Sequence, residues 1–93
     1  MQNKELNKQE LIFVSETHRN NYAVELKFNE ALKLWQATIK IPGKFKIYKL
    51  VTARGETKTW RHLDSAIGFF QETCPECKDI TIITTNWKFK RIT

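Results

Sequence analysis

Apolar and polar residues alternate with a period of two along two stretches of the chain. Over residues 22–28, Tyr22, Val24, Leu26 and Phe28 fall on one side and Ala23, Glu25 and Lys27 on the other. Over residues 34–41, Trp35, Ala37, Ile39 and Ile41 oppose Gln36, Thr38 and Lys40. This is the period of a strand with one face buried and one face wet. Residues 11–17, followed by His18-Arg19-Asn20-Asn21, predict an earlier strand that turns into 22–28, because Asn tolerates the positive φ of tight hairpin turns. Pro42-Gly43 suits the two central positions of a turn and reverses the chain into 45–53. There the alternation falters. Phe45, Ile47, Val51 and Ala53 share a side with Lys49, while Tyr48 and Leu50 lie with Lys46 and Thr52, which predicts a strand partly covered on both faces.

The period then changes. Arg54-Gly55 supplies a turn from which Thr57 to Trp60 can pair back, and Leu63, Ala66, Ile67, Phe70 and Cys74 recur at helical spacing. A helix is expected over 63–73, with His62 at the N-cap position, Asp64 in the positive first turn and Pro75 as the stop. Residues 79–85, rich in β-branched side chains, predict a last strand, and Trp87 to Arg91 alternate aromatic and basic residues as an extension. The polar start predicts a flexible terminus over 1–9, leaving 10–93 as a single domain. The fold class expected is α+β: a mainly antiparallel sheet of about five strands with one helix packed on one face, in the order β-β-β-β-(β)-α-β. One helix leaves the other sheet face uncovered, so that face or a sheet edge is expected to bind a partner or to form a homodimer.

Composition narrows the class. An apolar share of 41% over 93 residues suits one small folded domain and is too high for a disordered chain. The net charge of +6 is unevenly placed. Residues 1–39 balance five basic against five acidic side chains, and 62–85 set Lys78 against Asp64, Glu72, Glu76 and Asp79. Residues 40–61 hold Lys40, Lys44, Lys46, Lys49, Arg54, Lys58 and Arg61 against Glu56 alone, and Lys88, Lys90 and Arg91 extend the excess at the tail. A chain polarised in this way favours an anionic partner on one side. No apolar run reaches the length of a membrane span, and the start lacks the apolar centre of a signal peptide, so a cytoplasmic protein with no membrane partner is expected.

Catalytic motifs are not found. Neither serine has a His-Asp setting, no Gly-rich phosphate loop occurs, and no carboxylate pair is placed for acid-base work, so the chain is not expected to be an enzyme. Cys74-Pro-Glu-Cys77 ends a helix among acidic residues, where a thiolate is disfavoured, and supplies two of the four ligands of a zinc site. The pair is expected to be incidental, with no metal and no cofactor. The chemistry that remains is cationic and aromatic. Lys44, Lys46, Tyr48 and Lys49, then Arg54, Lys58 and Arg61, and finally Trp87, Lys88, Lys90 and Arg91 interleave charges for phosphates with rings for bases, and are the candidate nucleic-acid-binding residues. DNA, single-stranded or plasmid, is the expected partner. A protein partner with an acidic surface, reached by an adaptor or inhibitor of a mobile element, is the competing expectation.

Residues 52–56, Thr-Ala-Arg-Gly-Glu, followed by Thr59-Trp60-Arg61 and Leu63-Asp64-Ser65-Ala66, resemble a pattern in small plasmid-encoded partition-associated proteins of the ParC type. The resemblance covers roughly twenty residues. It implies a helper in plasmid maintenance that contacts DNA or a partition protein, and carries over no catalytic residue.

Overall fold

The computed structural model describes residues 4–19, 21–41, 46–77 and 79–91. Its elements are β1 (Lys4–Leu6), α1 (Lys8–Thr17), β2 (Ala23–Asn29), β3 (Leu34–Ile41), β4 (Lys46–Leu50), β5 (Thr59–Trp60), α2 (Leu63–Thr73), β6 (Ile80–Ile83) and β7 (Lys88–Lys90). The fold is α+β, and its one sheet runs β1-β4-β3-β2-β6-β7, with β5 beside β3.

Three parts of the expected architecture are corrected. The first is the strand expected over 11–17, which is the body of a helix. Asn7 Oδ1 accepts from the Glu10 amide at 2.9 Å while Glu10 Oε1 accepts from the Asn7 amide at 2.9 Å. This reciprocal capping box satisfies two amides that a helix start leaves unpaired, and it sets the helical period in which Leu11 and Val14 both face inward. There are therefore two helices rather than one. The second correction follows from the first. Each helix carries the chain back along the sheet, so the strands around it run in the same direction, and the sheet is mixed: β1 pairs parallel with β4, and β2 with β6. Third, where the sequence suggested a flexible terminus as far as residue 9, Lys4–Leu6 pairs as β1 and Leu6 is buried.

The remaining elements follow their patterns closely. β2 and β3 pair in register from Ala23↔Lys40 to Asn29↔Leu34, so Val24, Leu26 and Phe28 face Ile39, Ala37 and Trp35 on the same side. Their turn is held by Asn29, whose side chain accepts from Leu32 N at 3.1 Å and whose carbonyl accepts from Lys33 N at 2.7 Å, and Lys33 takes a left-handed φ of 58°. The turn at Arg54-Gly55 forms as expected, with Gly55 at φ 87° and Thr52 N donating to Glu56 O at 2.7 Å. Val51 bridges Thr57, but β5 then passes to β3, where Trp60 pairs with Trp35. β4 and β5 thus share one edge of β3 in succession. Leu50 and Val51 are both buried although they point to opposite faces, in keeping with two-sided cover at this end of β4, whereas Ile47 is 56% exposed. Pro42-Gly43 and Phe45 lie outside the described residues, as does Asn20 of the first expected turn.

Both helices lie on one face. Leu11 and Val14 of α1, with Ala66 and Phe70 of α2, join Val24, Leu26, Trp35, Ala37, Ile39, Ile41, Leu50 and Trp60 in one core. Removing a side chain such as Leu11 or Phe70 from water contributes about 1.5–3 kcal/mol, and both are almost fully buried. The stripe on α2 is the expected one, running from Leu63 to Cys74. The opposite sheet face carries no helix among the described residues.

A lysine-lined open sheet face as candidate nucleic-acid interface

The registers define that open face row by row. One row crosses six strands: Glu5, Lys49, Thr38, Glu25, Thr81 and Lys90. The next holds Thr59, Gln36, Lys27, Ile83 and Lys88. Beyond the first row lie Lys40 and Ile47. Lysines 27, 40, 49, 88 and 90, drawn from β2, β3, β4 and β7, therefore stand on one surface together with hydroxyls and an amide. Lys49 and Lys90 are four strand spacings apart, about 19 Å.

Carboxylates balance part of this charge. Lys40 Nζ lies 2.8 Å from Glu25 Oε2, both half-buried, and Lys90 Nζ lies 3.8 Å from Asp79 Oδ1 at an exposed position. Lys27 and Lys88 flank Ile83 with no carboxylate opposite either of them. Their row lies toward the end of the sheet where the turns after β2, β4 and β6 gather, and the direction of the strands places the N-termini of α1 and α2 at that same end. Arg54 and Arg61 are exposed there. Glu10 and Asp64 stand in the first turns of α1 and α2 and offset the partial positive charge of those helix N-termini, so the cations of this end are carried by side chains.

The sequence-predicted residues are divided by the fold. Lys49, Lys88 and Lys90 share the open face. Arg54 and Arg61 stand at its turn-bearing end, whereas Lys46 pairs with Ile41 at the opposite end, and Lys44 lies outside the described residues. Tyr48 pairs with Ile39 and packs half-buried against the core, so its ring is on the helix side. Lys58 places its ammonium 5.7 Å from the Trp60 ring and 5.4 Å from the Phe69 ring, an attraction between a cation and the negative faces of the rings. Arg91 donates a guanidinium hydrogen bond to the Cys77 carbonyl. Trp87 is 68% exposed and stacks on Phe89 with ring centroids 6.3 Å apart, on the helix side of β7. Among the described residues the open face thus carries cations without aromatic rings. Lys27 escapes a reading by charge density because its segment is neutral in sum, and Lys40 enters such a reading only as charge. The signal is in the alternation, which places both on the wet side of β2 and β3.

The cysteines are part of the core. Cys74 closes α2 and Cys77 follows in a turn, each 2% exposed, and both are free thiols. Burial pushes the Cys74 thiol up to about 11 and raises that of Cys77. Tyr22, packed beside them, is also raised by burial and then by the neighbouring thiols, and its hydroxyl lacks a partner with hydrogen-bonding geometry. Such thiols are neutral near pH 7 and poor nucleophiles. Among the described residues no three His, Cys, Asp or Glu side chains gather as a metal site, and no helix is long and apolar enough to cross a membrane. No protein-family model, curated protein or solved structure matches the chain.

Proposed function

We propose that this chain is a small basic accessory protein that binds duplex DNA through the open face of its sheet. The observation that carries the reading is the register, which brings Lys27, Lys40, Lys49, Lys88 and Lys90 from β2, β3, β4 and β7 onto one helix-free surface. Phosphates are met by ammonium groups, hydroxyls and amides, and such interactions position a protein without reading base sequence. Single strands need rings on which unstacked bases lie. Among the described residues the aromatic side chains of this sheet point to the core or stand at the β7 edge on the helix side, which favours a continuous backbone. The resemblance of residues 52–66 to ParC-type proteins is compatible with a helper role in plasmid partition. Arg54 and Arg61, which belong to that stretch, border the face at its turn-bearing end.

The test is retention of a duplex of arbitrary sequence over a salt series. Affinity is expected to fall steeply and log-linearly with salt, with little dependence on sequence. Absence of salt-sensitive affinity for any DNA removes the reading.

A further inference from the structure

β7 ends the sheet, and the charge and shape of its free edge specify what can join it. Thr84 N donates to Trp87 O at 2.8 Å and Arg91 N donates to Ile80 O at 3.0 Å. The main-chain groups of Trp87, Phe89 and Arg91 therefore face β6, and those of Lys88 and Lys90 face outward with no strand beside them among the described residues. The side chains of Lys88 and Lys90 point to the open face, while that of Phe89 points to the helix side. There Phe89, Ile80, Ile82, Ile67 and Phe70 line a cleft of about 570 Å³ between α2 and the β6–β7 hairpin. Phe89 is 53% exposed beside it.

We propose that this edge accepts an extended acidic segment of a partner protein as an added strand, its residues alternating acidic and apolar. In strand addition, main-chain hydrogen bonds supply affinity and alternate side chains supply specificity. Residues opposite Lys88 and Lys90 share their face, where carboxylates complement both ammonium groups. The residue between them projects to the other side, against Phe89 and the mouth of the cleft. Asp79 does not block this pairing, because an exposed ion pair at 3.8 Å is weak and an incoming carboxylate displaces it. A second copy of the chain is a poor occupant. Every antiparallel register that pairs the outward groups of β7 with themselves sets a lysine opposite a lysine, and like charges directly opposite destabilise.

The experiment uses the purified chain and a fluorescently labelled peptide, Ser-Glu-Leu-Glu-Leu-Glu-Ser, with no nucleic acid present, so its result is independent of DNA binding. Two control peptides accompany it: one of the same composition with the acidic and apolar residues in separate blocks, and one N-methylated at alternate amides. Anisotropy is expected to show saturable binding of the alternating peptide, weakened at least tenfold by either control. Lys88→Glu with Lys90→Glu is expected to abolish binding of the Glu peptide and to bind the matching Lys-Leu-Lys-Leu-Lys peptide instead. That exchange separates loss of charge from loss of fold. Equal binding of the block or N-methylated peptide, absence of binding at millimolar concentration, or failure of the charge exchange in a folded variant overturns the proposal.

Discussion

Lys27 and Lys88 stand in one row of the open sheet face with only Ile83 between them, on a strand that contributes no charge there. Their backbones are two strand spacings apart, about 10 Å, and Lys49 extends the same surface across β4. Reversing these three to Glu is expected to leave the circular-dichroism spectrum and melting temperature nearly unchanged, because solvated surface positions change stability by about 0.5 kcal/mol or less each. Duplex DNA binding should fall at least a hundredfold near 0.1 M salt. The log-log salt slope should shrink by about 0.9 for each phosphate that the variant no longer neutralises. Unchanged DNA affinity in the folded triple variant places the interface elsewhere.

The capping box at α1 is the feature that turns residues 11–17 into a helix, so its removal should be measurable. Asn7→Ala is expected to cost about 1 kcal/mol in urea denaturation. Glu10→Ala should cost less, since the Asn7 side chain still satisfies the Glu10 amide. If neither variant shifts the denaturation midpoint, α1 is held by packing alone.

That helix also marks the boundary of what is legible in the chain. Strands β2 and β3 are readable because their alternation is strict, and α2 because its stripe, first-turn Asp64 and Pro75 agree with one another. The segment Leu11 to Val14 is a short apolar run without a clear period, and periodicity alone does not separate a buried strand from a helix there. The deciding signal is Asn7 followed by Glu10, a capping pair inside a segment whose polarity suggests a loose end. With a strand in place of α1, a parallel pairing of β1 has no crossover to support it, and the mixed sheet is hidden as well. For the site, the sequence marks where basic residues concentrate. It does not mark which of them share a face, because that depends on the pairing of distant strands: Lys27 meets Lys88 only through β6.

Two glycines offer opposite outcomes from the same substitution. Gly55 has φ 87°, a left-handed conformation that a side chain disfavours even though an added Cβ meets nothing within 4 Å. Gly55→Ala is expected to destabilise by about 1 kcal/mol through backbone strain. Gly68 lies in the middle of α2 with open space around an added Cβ, so Gly68→Ala should stabilise by about 0.5–1 kcal/mol. Thermal melts of the two variants moving in the same direction contradict these assignments.

The buried thiols make the stability of the fold fall in alkaline solution. The Cys74 thiol titrates near 9.0 when unperturbed and at about 11 in the fold, because burial penalises the thiolate. Below about pH 9 both states hold the proton and the full contribution is present. Between 9 and 11 the unfolded chain releases it while the folded chain retains it, so rising pH favours unfolding, and the contribution is lost once the folded thiol also titrates. Cys77 acts in the same direction, and Tyr22, likewise raised by burial, adds to the loss at the upper end of the window. The informative quantity is the difference between wild type and Cys74→Ala with Cys77→Ala, measured by urea denaturation at pH 8 and pH 10.5. The alanine variant is less stable at pH 8 because the core is less well filled, but its stability should decline less between the two pH values. Replacing both by Ser should cost more than Ala at pH 8, by about 1–3 kcal/mol for each hydroxyl left buried without a partner. Parallel declines of wild type and the alanine variant show that the thiols do not set the alkaline limit.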